Sequence, residues 1–479
     1  MIKKEDILKA YSFDASLIEN EPVDVIFPKT KEELVEVVKE CIKNNQAITL
    51  RGSGTSLTGS STPSKNAVVV SCEKLNKFII KENTVICEPG VNVSYLNKEL
   101  LKIGKFYPIE PSSKRVATIG GMVSTNASGL RAHIFGSMKD WVNKIVFIDG
   151  NGNIVTETSE NFCGSEGILG AILEVHLKTT KPIVDKSYDL LSFDNFDEVV
   201  KCVKKIKNNA SVVEVIDKVS SEIIGLDKKY NLIVCYTDEK GEFNDVNEII
   251  EKRESLYPHL AQMGNYLIED PKLELDAMIK LVEFLEKNNI PFFGHIGYGI
   301  LHPCFNQNNQ DLIKKMYEIV LSLGGQISGE HGYGIKKAKY LDQKAREKWM
   351  HLKKKYDPKN IFNPGKLIET SNFGKIDLVC SGCGMCKVCP IYQIEKNEVY
   401  TPRGKFSAKG VNVFACTLCK KCEIFCPSGV NITDNILRIR ELLVSKGFET
   451  EKGKKMIKKV RKYGNPFGED FEEGEWYCC

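Results

Sequence analysis

The 479-residue chain has no apolar run approaching the roughly 20 residues that a membrane-spanning helix needs. Its start, Met1-Ile2-Lys3-Lys4-Glu5-Asp6, lacks the apolar core of a signal peptide. Charge of one sign is missing as well: 67 Lys and Arg stand against 63 Asp and Glu, a formal net charge of +4, which leaves no basic field for a nucleic acid. These absences set the expectation of a soluble, cytoplasmic protein without a transmembrane segment, peripheral to a membrane only through a partner. An even spread of cysteine is also absent, because eight of the 17 lie between Cys380 and Cys426. Such clustering in a reducing interior speaks against a disulfide framework and for metal. By length the chain holds about three domains.

What is present first is glycine in the right company. The stretch ITLRGSGTSLTGSS, Ile48 to Ser61, is a short apolar run emptying into small residues, where successive backbone N–H groups can form a concave phosphate cradle. Alone, it reads equally well as a surface turn. Two more glycine-rich stretches follow, EPSSKRVATIGGMVSTNASGLRAHIFGSMKDWV from Glu110 and CGSEGILGAI from Cys163. Before the cradle, TKEELVEVVKECIKNN from Thr30 has a capping-box start, Thr30 with Glu33, and one apolar face. Short strand-like runs follow from Ala67, Phe78 and Thr84. This order is that of a nucleotide-binding α+β domain.

The set RGSGTSLTG, EPG, YPIEPSS, TIGGMVSTNASG, FGSMKDWV and GSEGILG resembles the FAD-binding domain of the p-cresol methylhydroxylase type, in the branch of glycolate oxidase and D-lactate dehydrogenase flavoprotein subunits. The resemblance implies that Gly52, Ser53, Gly54, Thr55 and Ser56 hold the pyrophosphate. It places Pro111, Ser112, Thr118, Gly120, Gly121, Ser124, Asn126 and Gly129 along the flavin, with Glu166, Gly167 and Ile172 near the adenosine end. Relatives that tether the flavin commonly carry a histidine in or near the cradle; this loop has none, so FAD is expected to be non-covalent. YDPKNIFNPGKL, from Tyr356, resembles the segment closing the flavin fold, and Asn363 is expected to return to the flavin.

After Pro182 the texture changes to alternating strands and helices: a run from Tyr188 to Phe193, a helix opened by Asp194, VVEVID from Val212 and NLIVCYT from Asn231. Asp270-Pro271 is expected to start a long amphipathic helix. GHIGYGILH carries His295 and His302, and SGEHGYG carries Glu330 and His331. Residues seven apart on a regular strand face opposite sides, so the two histidines share a ligand only if Gly297 and Gly299 break the alternation. Two unrelated histidines beside glycine turns is the plainer reading. With Glu330 they make a donor set suited to zinc, iron(II) or manganese.

These stretches resemble the GHxGDGNxH and GEHG motifs of FAD-dependent D-2-hydroxy acid dehydrogenases. By that resemblance His295, His302 and Glu330 are metal ligands, His331 is the catalytic base, and Arg253 anchors the substrate carboxylate. Tyr298 and Ile300 depart from the pattern. Ile268 stands where 2-hydroxyglutarate enzymes carry a lysine, which favours a small monocarboxylate.

The chain then reads CSGCGMCKVCP from Cys380 and CTLCKKCEIFCP from Cys416, the second being a CxxCxxCxxxCP run that ligates 4Fe-4S clusters. Because the fourth cysteine of each run serves the other cluster in two-cluster folds, Cys380, Cys383, Cys386 and Cys426 are assigned to one, and Cys416, Cys419, Cys422 and Cys389 to the other. The first run is one residue short before Cys389. A lysine-rich segment, Lys452 to Lys462, is either a solvated face or a docking surface. In multi-subunit relatives, YGNP is followed by CCG-type repeats. Here YGNP, from Tyr463, leads to Glu475-Trp476-Tyr477-Cys478-Cys479, so a separate cysteine-rich acceptor subunit is expected.

The expected architecture is α+β: an FAD-binding domain over 18–182, a cap over 183–369, a ferredoxin-like bis-4Fe-4S domain over 371–440 and a basic tail over 441–479. Truncation before Ser371 is expected to leave a yellow protein still reduced by substrate. The expected function is oxidation of a D-2-hydroxy acid such as D-lactate or glycolate, with electrons leaving through the clusters. The alternative is a flavin and iron-sulfur relay subunit without its own hydroxy-acid chemistry.

Overall fold

The computed structural model describes residues 3–264, 267–448 and 450–468. In the first domain, β-branched runs form a three-stranded parallel sheet in the order Asp24–Ile26, Val68–Ser71, Ile48–Arg51, with Ile48 opposite Val68. Parallel neighbours need a crossover. Helix Lys31–Lys43 covers this sheet and buries Leu34, Val38 and Cys41. Thr30 caps it by accepting from the Glu33 N–H, but the Glu33 carboxylate takes the Lys29 N–H, so the reciprocal half of the capping box is displaced by one residue. A five-stranded antiparallel sheet follows in the order Phe78–Ile80, Thr84–Cys87, Gly170–Lys178, Val142–Asp149, Ile154–Glu157.

The cap is a six-stranded antiparallel sheet in the order Ser187–Phe193, Tyr230–Tyr236, Val212–Ile216, Phe292–Gly294, His302–Phe305, Leu267–Ile268. Strand residues alternate between faces. Val213 and Val215 pack with helices Phe196–Ile206, Leu275–Lys287 and Gln310–Ser322, while Val212 and Ile216 pack with helices Val246–Glu254 and Leu256–Gln262. Two helix starts differ from expectation. Asn195, not Asp194, caps helix Phe196–Ile206. The long helix begins at Leu275 rather than at Pro271, because residues 270–273 are extended, with Asp270 bridged to Ser328 and Lys272 to Ile300 and Gln326. Helix Gln343–Tyr356 returns to the first domain and inserts Trp349, Leu352 and Tyr356 into its core.

The last domain is built of short helices around the cysteines, with Phe406, Val413, Cys422, Ile432 and Ile436 as its small core. Helix Ile432–Ser445 runs across residue 440, where the sequence suggested a boundary. Helix Lys4–Ala10 packs on helix Pro402–Ala408, strand Ile18–Glu19 pairs with Gly374–Lys375, and Ala10 and Tyr11 share a core with Val69 and Val399, so the residues before the first sheet bridge the first domain and the cysteine domain. Among the described residues no helix is long and apolar enough to cross a membrane. The Glu475 to Cys479 end lies outside them.

Candidate active site and cofactor cavity

A cavity of about 690 Å³ runs between the three domains, within the range typical of cofactor sites. Its wall includes Gly52 to Ser56, Pro111, Ser112, Thr118, Gly120, Gly121, Ser124, Gly129, Glu166, Gly167, Ile172 and Asn363. The cradle has no room for side chains: a Cβ at Gly52 would lie 2.3 Å from Thr118 Oγ1, and one at Gly129 2.3 Å from the Glu110 carbonyl oxygen. Among the described residues the N–H groups of Gly54, Thr55 and Ser56 donate to no protein acceptor. Unpaired donors in a close-approach loop fit an anionic diphosphate.

Three of the expected residues sit differently from a simple lining role. Asn126 is not in the wall; in the left-handed conformation (φ 52°) it ends helix Ile119–Thr125, and its Oδ1 accepts from the Lys139 N–H. Glu166 is buried with its carboxylate committed to Ser60 Oγ and to the N–H groups of Tyr333 (2.6 Å) and Gly334 (2.7 Å). Asn363 donates to the carbonyls of Glu166 (2.7 Å) and Ser60 (3.2 Å). Glu166 and Asn363 thus tie the cradle to the GEHGYG loop.

At the far end of the cavity lie His295, His302, Glu330 and His331. A turn of 3-10 helix, Ile296–Tyr298, and left-handed Gly299 (φ 84°) break the strand alternation, so both imidazoles face one carboxylate. One ligand atom from each of His295, His302 and Glu330 lies within 4.8 Å of the others. Nε2 of His302 is 3.1 Å and Nε2 of His295 is 4.0 Å from Glu330 Oε1. The opposite ring nitrogens are held: His295 Nδ1 lies 2.5 Å from Glu214 Oε1, and His302 Nδ1 3.3 Å from the Glu269 carbonyl oxygen. Ser128 Oγ donates to Glu330 Oε2 at 2.6 Å. Outer partners of this kind fix the tautomer and aim a metal-binding imidazole. The donor set fits a divalent metal.

His331 stacks on His302, rings 5.5 Å apart and 16° from parallel, with Nε2 3.6 Å from Glu330 Oε1. Behind it is Asp270, fully buried, whose carboxylate accepts from the N–H groups of Glu330 (2.8 Å) and His331 (2.7 Å) and pairs with Lys337 (2.6 Å). Burial pushes the Asp270 carboxyl upward, but His331, Lys337 and these hydrogen bonds outweigh it and hold it below the usual range. Arg253 lines the cavity; its Nε donates to Glu214 Oε2 at 2.6 Å, while Nη2 lies within ion-pair range of that oxygen without an aligned hydrogen bond. Burial raises the Glu214 carboxyl, yet Arg253 and His295 together hold it low.

The cysteines fall into two groups. Cys380, Cys383, Cys386 and Cys426 surround one small cavity. Cys389 and Cys416 lie close to Cys422, and Cys419 of the same run is exposed. Cys383 and Cys426 also line the large cavity, as do Met385, Ile424 and Phe425. Four thiolates gathered around one cavity, as Cys380, Cys383, Cys386 and Cys426 are, fit an iron-sulfur cluster.

Residues 22–158 match the FAD binding domain, residues 232–367 the C-terminal domain of FAD linked oxidases, and residues 378–430 the 4Fe-4S dicluster domain. The chain belongs to the FAD-linked oxidase family. It is similar to the glycolate oxidase subunit GlcD of Bacillus subtilis, 28% identical over 429 residues that cover 74% of this chain and 91% of that protein. It is likewise similar to a D-lactate dehydrogenase of Archaeoglobus fulgidus, 26% identical over 72% of this chain and 91% of that protein. A D-2-hydroxyglutarate dehydrogenase of Stutzerimonas stutzeri is 23% identical over 76% of this chain and 94% of that protein. In this FAD-linked oxidase the residues that sequence reasoning missed are Glu214, Asp270 and Ser128. Glu214 had a signal: a lone acid in the apolar strand VVEVI, entirely buried.

Proposed function

We propose that this FAD-linked oxidase dehydrogenates a small D-2-hydroxy monocarboxylate of the D-lactate or glycolate kind and sends the electrons through two 4Fe-4S clusters to a separate acceptor. The reading rests on one observation: His295, His302, Glu330 and His331 converge at the end of a cavity whose other wall is a nucleotide cradle. When bound, non-covalent FAD supplies a hydride acceptor and a divalent ion on His295, His302 and Glu330 supplies a Lewis acid for the substrate hydroxyl.

The chain's own residues do the rest. The Asp270 carboxylate accepts the His331 backbone N–H at 2.7 Å and lies 3.5 Å from its Nδ1, so it positions the ring whose Nε2 serves as the base in this reading. A base placed in this way contributes about 10²–10⁴ in rate. The Arg253 guanidinium, buried beside the histidines, is the carboxylate anchor. Ile268 lines the same cavity, so the position offers no cation to a second carboxylate. Anaerobic addition of D-lactate or glycolate to the FAD-loaded protein tests this: the flavin band should bleach. Silence across a 2-hydroxy acid panel would replace the reading with that of a relay subunit.

A further inference from the structure

Between the FAD cradle and the first cysteine group lies a buried ionic network that neither substrate nor fold alone explains. Arg403, 1% exposed in the first turn of helix Pro402–Ala408, uses its guanidinium in three directions. Nε donates to Glu398 Oε1 at 3.0 Å; Nη1 donates to the carbonyls of Gly382 (2.6 Å) and Gly54 (2.9 Å); Nη2 donates to that of Ser53 (3.2 Å). Gly382 lies between Cys380 and Cys383, and Ser53 and Gly54 are the cradle itself. One side chain therefore fixes the spacing between the diphosphate loop and the loop of cysteines. The neighbouring backbone has given way to it: a Cβ on Gly384 would lie 3.0 Å from Arg403 Nη1.

The network also carries excess charge. Glu398 pairs with Lys387 at 2.9 Å and Arg51 at 3.7 Å, besides Arg403, and Lys387 pairs with Glu73 at 2.8 Å. All five side chains are at most 4% exposed. Three cations thus face two carboxylates out of reach of water, and an uncompensated buried charge is costly. The missing counter-charge is chemically evident on both sides: a thiolate-ligated cluster and a diphosphate are both anionic.

We propose that Arg403, set by Glu398, is a positioning residue that holds the Cys380–Cys386 loop against the FAD cradle and raises the reduction potential of the cluster bound by Cys380, Cys383, Cys386 and Cys426. A nearby cation stabilises the more negative, reduced cluster, and potentials of this class follow local charge and hydrogen bonding. The inference rests on the two-cluster reading above.

The test is an EPR-monitored redox titration of full-length protein loaded with FAD, iron and sulfide. Arg403→Gln should lower the potential of one cluster signal and leave the other in place, Arg403→Lys should recover most of the shift, and Glu398→Gln should move the same signal upward. Opposite signs at one cluster are a signature that loosened packing does not produce. If one variant fails to load, the other two decide through the predicted order of potentials. Signals unmoved by charge removal, or moved the same way by Arg403→Gln and Glu398→Gln, overturn the inference. Two signals missing from the parent protein would instead overturn the two-cluster reading.

Discussion

Glu214 and His331 offer a clean contrast between aiming a ligand and touching a substrate. His331→Ala should leave FAD and metal in place and cut substrate-driven flavin reduction by about 10²–10⁴, measured by anaerobic stopped flow. Glu214→Gln should instead lower metal affinity about 10–100-fold, because Nδ1 of His295 loses its carboxylate partner, and added metal should restore much of the rate. Metal analysis showing no stoichiometric non-cluster metal in the parent would sink the ligand assignment. That His295, His302, Glu330 and His331 come together was legible in the sequence, because the two motifs that carry them can be read without a structure. Glu214 was not, because its role arises only when a strand 81 residues away is laid beside His295. Nor was Asp270: its signal, Asp before Pro, reads as a helix start, whereas the extended segment exists to bring its carboxylate beneath the GEHG loop.

Elements with local causes were the readable ones. Helix Lys31–Lys43, strand Val212–Ile216 and strand Tyr230–Tyr236 follow from capping, periodicity and β-branched runs. The cradle was readable as glycine-rich, but which glycine is indispensable depends on tertiary neighbours. Gly54 is in the left-handed region (φ 65°), and its Cβ would lie 2.3 Å from Arg51 Nη2, a buried cation held by the Phe13 carbonyl at 2.7 Å. Gly54→Ala combines backbone strain of roughly 1–2 kcal/mol with that clash. The expected result is a protein purified with little FAD, read from the ratio of flavin to protein absorbance. Full FAD content in this variant would show that the cradle yields.

At the scale of the whole molecule, the cysteine domain is not an appendage. Tyr11 Oη accepts from the Glu398 N–H at 3.0 Å, Lys387 and Arg403 are buried against the first domain, and Arg115 stacks on Phe425 at 4.5 Å. Truncation before Ser371 would leave Arg51 and Glu73 buried without these partners and would open the cavity wall, so it is a poorer probe than the sequence suggested. Single ligand changes are better. Because Cys383 and Cys426 line the FAD cavity while Cys419 is exposed, electrons should enter at the first group and leave at the second. Cys426→Ala should allow substrate to bleach the flavin while leaving the remaining cluster unreduced. Cys419→Ala should keep the entry cluster reducible but stop delivery to a protein acceptor. EPR spectra after anaerobic substrate addition separate the two cases. If Cys419→Ala abolished the signal nearest the flavin, or Cys426→Ala left the second cluster fully reducible by substrate, the order of the two groups along the electron path would be reversed.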